Sequence, residues 1–176
     1  MGLACGSVFW LISCRCSIMK LYFLRHADAL EGTDDAARPL SPRGRKEARE
    51  VGRFLKRAGI EFDAAYSSPL LRAKQTGEIV LDVCGSATLE ITEALLNESS
   101  PTQTGKWLKY LPAAKHVLLV GHAPSLAERV RQLIGMAASA GLKLPKGGLA
   151  CVETEDGRSA SLKFFITPKL LGVRAD

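Results

Sequence analysis

The sequence predicts an α/β fold, in which a mostly parallel central sheet lies between two layers of helices as a three-layer α/β/α sandwich. Two observations predict it. Short apolar segments alternate with longer segments of helical periodicity along most of the 176 residues, and this alternation is typical of a parallel sheet. No repeat, low-complexity tract or linker interrupts the alternation, so we expect one domain.

Each predicted element follows from a local pattern. Short apolar runs predict buried strands, and apolar residues three and four positions apart predict helices. Serine followed by proline is a typical helix start, with the serine as N-cap and the proline in the first turn. In chain order we predict a strand at Lys20–Leu24, a helix from Ser41 to Gly59, a strand at Phe62–Tyr66, a helix from Ser67-Ser68-Pro69 to about Cys84, a strand at Thr88–Ile91, a helix at Pro101–Leu111, a strand at His116–Val120 and a helix at Ser125–Ile134.

The end of the chain carries a hairpin signal. Glu155-Asp156-Gly157 separates two strand-like segments, Ala150–Thr154 and Ala160–Ile166. An acidic residue followed by glycine between such segments favours a tight turn. We expect this hairpin to add edge strands to the sheet.

The composition is that of a globular protein, with 47% hydrophobic and 24% charged residues. No run of 18 apolar residues is present, so no membrane span is predicted. The formal net charge is +6, but basic and acidic residues are mixed along the chain, which favours an anionic substrate over nucleic acid. The number of cysteines is odd and none forms a C-x-x-C pair, so we expect neither a disulfide framework nor a zinc site. The cysteines are Cys5, Cys14, Cys16, Cys84 and Cys151.

The first eighteen residues differ from the rest because they contain no acidic residue. A secretory signal begins with a basic region, which is missing here. Leu11–Cys14 resembles a lipoprotein cleavage box, although the same basic region is missing, and a myristoylation signal has Ser or Thr where Gly6 stands. We expect residues 1–18 to be a leader or surplus extension, with translation beginning at Met19. The domain would then span 19–176 in the cytoplasm, with lipoprotein-type export as the alternative.

Arginine and histidine residues follow three of the predicted strands. Arg25 and His26 come directly after the first strand, Arg72 follows the second, and Gly121 and His122 follow the fourth. Ligands of open α/β sheets bind beyond the carboxyl ends of the strands. We therefore expect these side chains to converge on one pocket.

Two arginines and two histidines suit a phosphoryl group. Guanidinium groups bind its oxygens bidentately and stay charged, a neutral imidazole can attack phosphorus, and a second imidazole can donate hydrogen bonds to the transition state. Arg72 should lie in the first turn of its helix, where the helix N-terminus also favours an anion. A single histidine after a strand is usually incidental, but two of the three histidines share this position. The third, His116, precedes its strand and is expected at the surface.

Four segments carry a resemblance to a known family. Leu21–Ala27 resembles the R-H-G signature of the histidine phosphatase (phosphoglycerate-mutase-like) superfamily, and Ser67–Thr76 resembles its S-x-x-x-R-A-x-Q-T segment. Arg38–Gly44 matches R-P-L-[ST]-x-x-G, and Val120–His122 is similar to the late G-H motif. The motifs stand in the family's order. The short chain is most similar to the SixA-type phosphohistidine phosphatases.

The resemblance implies a phosphatase that forms a covalent phosphohistidine and needs no metal or cofactor. His26 would be the nucleophile, and Arg25, Arg72 and His122 would hold the phosphoryl group. Arg38 would either reach the pocket mouth or brace the first loop. The expected substrate is a phosphorylated histidine in a partner protein. A small phosphate ester is the alternative, and a module that binds phosphate without hydrolysing it is a further one; the sequence gives no indication of oligomeric state.

Two departures from the family pattern bear on the chemistry. Ala27 replaces the usual glycine, but short members often carry alanine, so we expect ordinary backbone geometry there. No carboxylate is an obvious proton donor: Glu93 and Glu98 lie in the relevant stretch but match no motif, and Asp28 is expected to contact the loop. The lack of an acid favours phosphohistidine, because its imidazole leaving group can already carry a proton.

Overall fold

The structure is a computed structural model that describes residues 18–85, 87–112, 114–137 and 141–173. Residues 1–17, which make up nearly all of the expected leader, lie outside the described residues. The strands are β1 (Met19–Arg25), β2 (Ala64–Ser67), β3 (Leu89–Ile91), β4 (His116–Gly121), β5 (Leu149–Thr154) and β6 (Ser161–Ile166). The helices are α1 (Pro42–Arg57), α2 (Leu71–Cys84), α3 (Pro101–Leu108) and α4 (Ser125–Leu133), with a short 3₁₀ turn at Glu93–Leu95.

The six strands form one sheet in the order β3-β2-β4-β1-β5-β6. The first four are parallel, β5 runs antiparallel to β1, and β6 runs antiparallel to β5. Helices α1 and α2 pack on one face, and α3 and α4 on the other. The predicted three-layer sandwich with a mostly parallel sheet is therefore confirmed.

The alternation of side chains along β1 divides the core into two halves. Tyr22 and Leu24 pack with α1 and α2, whereas Leu21 and Phe23 pack with the apolar residues of α4. All four are essentially inaccessible to solvent. A strand buried on both faces is apolar at successive positions, and this is why the segment reads as an unbroken apolar run.

Several sequence predictions need correction. The hairpin does not add two edge strands: β6 is the edge strand, but β5 pairs with both β1 and β6. Residues 149–152 of β5 are buried, as an interior strand requires. His116 begins β4, as the predicted strand bounds have it, but it is half-buried rather than a surface residue, and its Nδ1 lies 2.8 Å from the Tyr22 hydroxyl.

The observed helix ends agree with the predicted ones at α1 and differ from them at α2 and α3. Ser41 caps α1 as predicted, since its Oγ accepts from the Gly44 amide at 3.0 Å. The serine–proline start predicted for α2 is wrong: the helix begins at Leu71 without a side-chain cap, because the Ser67 and Ser68 hydroxyls have other partners. Helix α3 ends at Leu108, three residues before the predicted end.

Two further expectations concern bonding and membranes. In the part of the chain that the structure describes, Cys84 and Cys151 are free thiols. None of the described helices has the length and apolar character needed to cross a membrane.

The start of α1 packs against the loop after β1 so closely that only glycine fits. A Cβ atom on Gly44 would lie 1.9 Å from the carbonyl oxygen of Asp28. This approach brings the helix N-terminus against the segment that follows His26, and the Ser41 amide donates to the same carbonyl at 3.0 Å. The glycine of the R-P-L-S-x-x-G motif is thus required by packing.

We predict that Gly44→Ala lowers the free energy of unfolding by about 3 kcal/mol or more, since the added methyl group must displace backbone. Gly141→Ala is the control, because a Cβ there has no atom within 4 Å and the residue does not have a positive φ. Denaturant unfolding monitored by circular dichroism measures both variants. Equal midpoints for the two variants would contradict the close approach.

Candidate active site

The candidate site lies at the carboxyl ends of β1, β2 and β4. Arg25 of β1 is in register with Gly121 of β4, and the His26 amide donates to the Gly121 carbonyl at 2.9 Å. The residues that follow these strands are therefore neighbours, and the His26 and His122 rings are 5.0 Å apart between centroids. The predicted convergence of the two histidines agrees with this geometry.

His26 is held as a neutral imidazole with one free nitrogen. Its Nδ1–H donates to the Ala27 carbonyl at 2.8 Å, which leaves the lone pair on Nε2. Burial lowers the pKa of His26 to about 4, and the charges of Arg72 and Arg25 act in the same direction, while the bond to Ala27 opposes them. The ring is therefore uncharged at neutral pH and can act as a nucleophile through Nε2.

His122 is fixed by a buried serine. Its Nε2 lies 2.6 Å from the Ser68 hydroxyl oxygen, and both side chains are buried. Burial is the main cause that lowers the pKa of His122 to about 3, followed by the neighbouring His26 and Arg72. Ser68, the serine of the S-x-x-x-R motif, was quoted as part of a motif but not predicted as a site residue; its four-residue spacing from Arg72 was the available signal.

Arg25 enters the site from the end of β1. Its Nη1 donates to the Leu144 carbonyl at 2.9 Å, while its buried Nε has no hydrogen-bond partner in the described part of the chain. Burial also lowers the pKa of this guanidinium. The side chain is thus anchored at one nitrogen and keeps further donors for a ligand.

Arg72 lies in the first turn of α2, as the sequence predicts. Its guanidinium is engaged by a residue that sequence reasoning missed: Nη1 donates to the Asp35 carbonyl at 2.6 Å and Nη2 to the Asp35 carboxylate at 3.0 Å. Hydrogen bonds from Arg72 and then Arg38 lower the pKa of Asp35, and the carboxylate is close enough to His122 to raise that residue's pKa. Asp35 lies in a polar loop and matches no motif, so no local signal indicated it.

Arg38 makes the contacts of a brace. Its Nε donates to the Leu30 carbonyl and its Nη1 to the Asp35 carboxylate, both at 2.8 Å. These bonds fold residues 30–38 back on themselves and hold Asp35 beside Arg72. Of the two roles that the sequence left open for Arg38, this geometry corresponds to bracing the loop.

One threonine connects the nucleophile loop to the arginine helix. Thr76 Oγ1 accepts from the Ala27 amide at 3.1 Å and donates to the Arg72 carbonyl at 2.7 Å. The neighbouring Gln75 accepts from the Leu40 amide at 2.8 Å. In the described part of the chain no residue other than glycine has a positive φ, so Ala27 is unstrained, as expected.

Asp28 and the two glutamates that were considered as proton donors differ in how firmly they are held. Asp28 contacts the loop as expected, because it accepts from the Ser41 hydroxyl and from Lys146 Nζ, each at 2.7 Å. Lys146, which sequence reasoning missed, is near enough for its charge to lower the pKa of His26. Glu93 and Glu98 have exposed side chains, so the structure gives neither of them an anchored position as a proton donor.

Comparison with known proteins identifies the family. The model of the histidine phosphatase superfamily (branch 1) matches residues 21–107. The phosphohistidine phosphatase SixA of Escherichia coli (strain K12) is 33% identical over 122 residues, which are 65% of this chain and 74% of that protein. The chain belongs to the histidine phosphatase superfamily.

Two further comparisons have a similar extent, and the first of them agrees with this membership. A solved structure of the protein histidine phosphatase SixA complexed with tungstate superposes with a TM-score of 0.80 at 25% identity, covering 87% of this chain and 99% of that one. An uncharacterised protein of Picosynechococcus sp. (strain ATCC 27264 / PCC 7002 / PR-6) is 32% identical over 136 residues, 74% of this chain and 82% of its own length. The phosphoglycerate-mutase-like fold and the SixA-type resemblance are thus confirmed.

The site contains two guanidinium groups, which suit an anion. Within residues 18–85, 87–112, 114–137 and 141–173, no three His, Cys, Asp or Glu side chains are grouped as a metal site would require. The guanidinium groups of Arg25 and Arg72 are the groups of the site that suit phosphate-like oxygens. In the first turn of α2 the Leu71 and Ala73 amides already donate to the Ala36 and Leu70 carbonyls.

We predict that His26 and His122 stay neutral well below pH 6.5, titrating near pH 4 and pH 3, because burial and the adjacent arginines disfavour the imidazolium form. Long-range ¹H–¹⁵N NMR of the ligand-free protein reports both protonation and tautomer, and His26 should show the Nδ1–H form. The chain unfolded in concentrated urea gives the reference, near pH 6.5 for an unperturbed histidine. Titration of His26 at or above that reference would contradict the buried, neutral nucleophile.

Proposed function

We propose that the protein is a metal-independent phosphatase that removes the phosphoryl group from phosphohistidine in a partner protein. The observation that carries the proposal is the neutral His26, whose Nδ1–H is bonded to the Ala27 carbonyl, beside the ring of His122 and within range of the charges of Arg25 and Arg72. Membership of the histidine phosphatase superfamily supports a phosphatase, and the name of the relative SixA supports phosphohistidine as the substrate.

The reaction proceeds in two transfers. In the first, His26 Nε2 forms a bond to phosphorus while the bond between phosphorus and the substrate's imidazole nitrogen breaks, and the leaving imidazole keeps the electron pair. In the second, a water oxygen attacks phosphorus and the bond to His26 breaks. Both protons of the water leave with the product as dihydrogen phosphate, which then equilibrates with solvent. Nε2 of His26 regains its electron pair, so the ring is neutral again.

The surrounding side chains stabilise the charge on the transferred group. Arg25 and Arg72 donate to the phosphoryl oxygens, which gather negative charge when phosphorus is five-coordinate. The hydrogen bond between Ser68 and Nε2 holds the His122 ring. In the tautomer that accepts from Ser68, the ring proton lies on Nδ1 and can be donated to a further oxygen. Arg25 and His122 are already held by protein contacts, whereas Arg72 must release part of its bonding to Asp35 before it can receive the phosphoryl group.

The leaving group suits a site without an anchored acid. An imidazole that carries a proton leaves as a neutral ring, whereas an alkoxide must be protonated as it leaves. The exposed Glu93 and Glu98 side chains supply no fixed donor. A phosphoramidate bond is therefore the better match for these residues than an alkyl phosphate.

We predict that wild-type protein incubated with a phosphohistidine substrate and quenched in alkali retains acid-labile phosphate, and that His26→Ala retains none. His122→Ala is the comparison: it keeps the nucleophile but loses a donor, so the trapped phosphate should persist while turnover falls by about 10²–10³-fold. Labelled substrate and alkaline gel analysis measure both, and a small phosphate ester run in parallel tests the alternative substrate. Trapped phosphate in His26→Ala would falsify the assignment.

Asp35 shares Arg72 with any phosphoryl ligand. Both Nη atoms of the arginine donate to Asp35, and the carboxylate side chain is largely exposed. We infer that the phosphoryl group displaces or adjoins this carboxylate, and that the two anions compete for the same guanidinium.

We predict that Asp35→Asn lowers the dissociation constant for orthovanadate by about two- to fivefold, the range expected when one exposed ion pair is removed. Asp34→Asn is the matched control: it removes a charge from the same loop, but its side chain caps the Ala36 amide. Inhibition of turnover by vanadate gives the constants. Weaker vanadate binding in Asp35→Asn would show instead that the carboxylate orients Arg72.

A further inference from the structure

Two adjoining cavities extend the surface next to the candidate site. Their volumes are about 610 and 700 Å³, and they share Pro145 and Thr167 in their walls. Arg25 lines the first and Lys146 the second. We call the two cavities together the basic groove. Because Arg25 belongs to the site and Lys146 bonds to Asp28 beside it, the groove is continuous with the place where a phosphoryl group would bind.

The charge of the basic groove is strongly one-sided. Its cationic lining residues are Arg25, Arg43, Lys143, Lys146 and Lys169. The acidic residue in the same lining is Glu47, which is buried and already accepts from the Asp28 amide and from Arg43. Lys143 and Lys169 are exposed, and neither has an ion-pair partner within the described ranges. Their charges are thus available to a partner molecule.

The groove also has an apolar wall. Pro124, Leu142, Leu144 and Phe165 line the cavity that contains Arg25 and Lys143. Apolar side chains beside cations are typical of protein interfaces, which combine an apolar centre with a charged rim. A nucleic-acid backbone is bound mainly by cations and polar groups, so this lining favours a protein partner.

We propose that the basic groove docks an acidic protein surface that surrounds the phosphorylated residue. The proposal rests on the proposed function and adds to it the charge of the substrate protein. Complementary charge at the rim of an interface raises the rate of encounter and is screened by salt. Docking in this groove would bring the phosphorylated side chain of the partner to His26.

The test uses three synthetic peptides in which phosphohistidine is flanked by glutamates, by glutamines or by lysines. With wild-type protein the acidic peptide should have a KM at least fivefold below that of the basic one, and the difference should shrink at 0.5 M salt. In Lys143→Glu/Lys169→Glu the preference should be lost or reversed. The same variant should turn over p-nitrophenyl phosphate within twofold of the wild-type rate, because this substrate is too small to extend along the groove.

Lys56→Glu/Lys109→Glu is the matched control. It makes the same change of net charge at exposed lysines near the C-terminal ends of α1 and α3. These helix ends lie at the amino ends of the parallel strands, whereas the site lies at the carboxyl ends. This variant should keep the wild-type preference for the acidic peptide. Loss of the preference in both variants would indicate a long-range charge effect and overturn docking in the groove.

The remaining outcomes separate the two proposals. If wild-type protein dephosphorylates all three peptides equally well, the docking proposal is wrong and the proposed function stands. If it dephosphorylates none of them but hydrolyses p-nitrophenyl phosphate, the proposed substrate is wrong and docking falls with it. Competition by single-stranded DNA at lower concentration than by polyglutamate would assign the groove to nucleic acid and overturn the protein partner.

Discussion

The parallel pairing of β1 with β4 places Arg25 opposite Gly121, and the residues that follow this pair are the two histidines of the site. A slip of one residue in this pairing would turn the side chains of β1 to the opposite faces of the sheet. It would also separate the rings, whose contact depends on both strands ending at the same level. The pairing is secured by the burial of both strands on two faces, so the stability of the core and the geometry of the site have the same origin.

Next to this pairing, side chains of the motif residues bond to backbone atoms of neighbouring segments and hold the loops together. Thr76 ties Ala27 to Arg72, Gln75 holds Leu40, and Gly44 allows α1 to approach Asp28. These residues touch no reacting atom, yet they fix the distance between the nucleophile and the arginine on α2. Several motif residues therefore position the catalytic side chains through hydrogen bonds and close packing, and do not take part in the chemistry themselves.

The sequence predicted the parts of the site that local patterns determine. His26, His122 and Arg72 each follow a recognisable strand, and the carboxyl ends of parallel strands must meet. It did not predict Asp35, Lys146 or the role of Ser68, because their partners lie 37, 118 and 54 residues away in the chain. The interior position of β5 escaped prediction for the same reason: a hairpin signal shows which strands pair with each other and not where the pair joins the sheet.

The bond between Asp35 and Arg72 has a consequence for ion selectivity. The Asp35 carboxylate is held beside Arg72 by its bond to Arg38, so a free carboxylate can bind Arg72 only by displacing a like group that is already in place. Such monoanions gain little by replacing a group of their own kind. A phosphoryl dianion carries more charge and more acceptor oxygens, and can reach Arg25 and His122 at the same time. The loop that covers Arg72 would then filter ligands by charge before any chemistry begins.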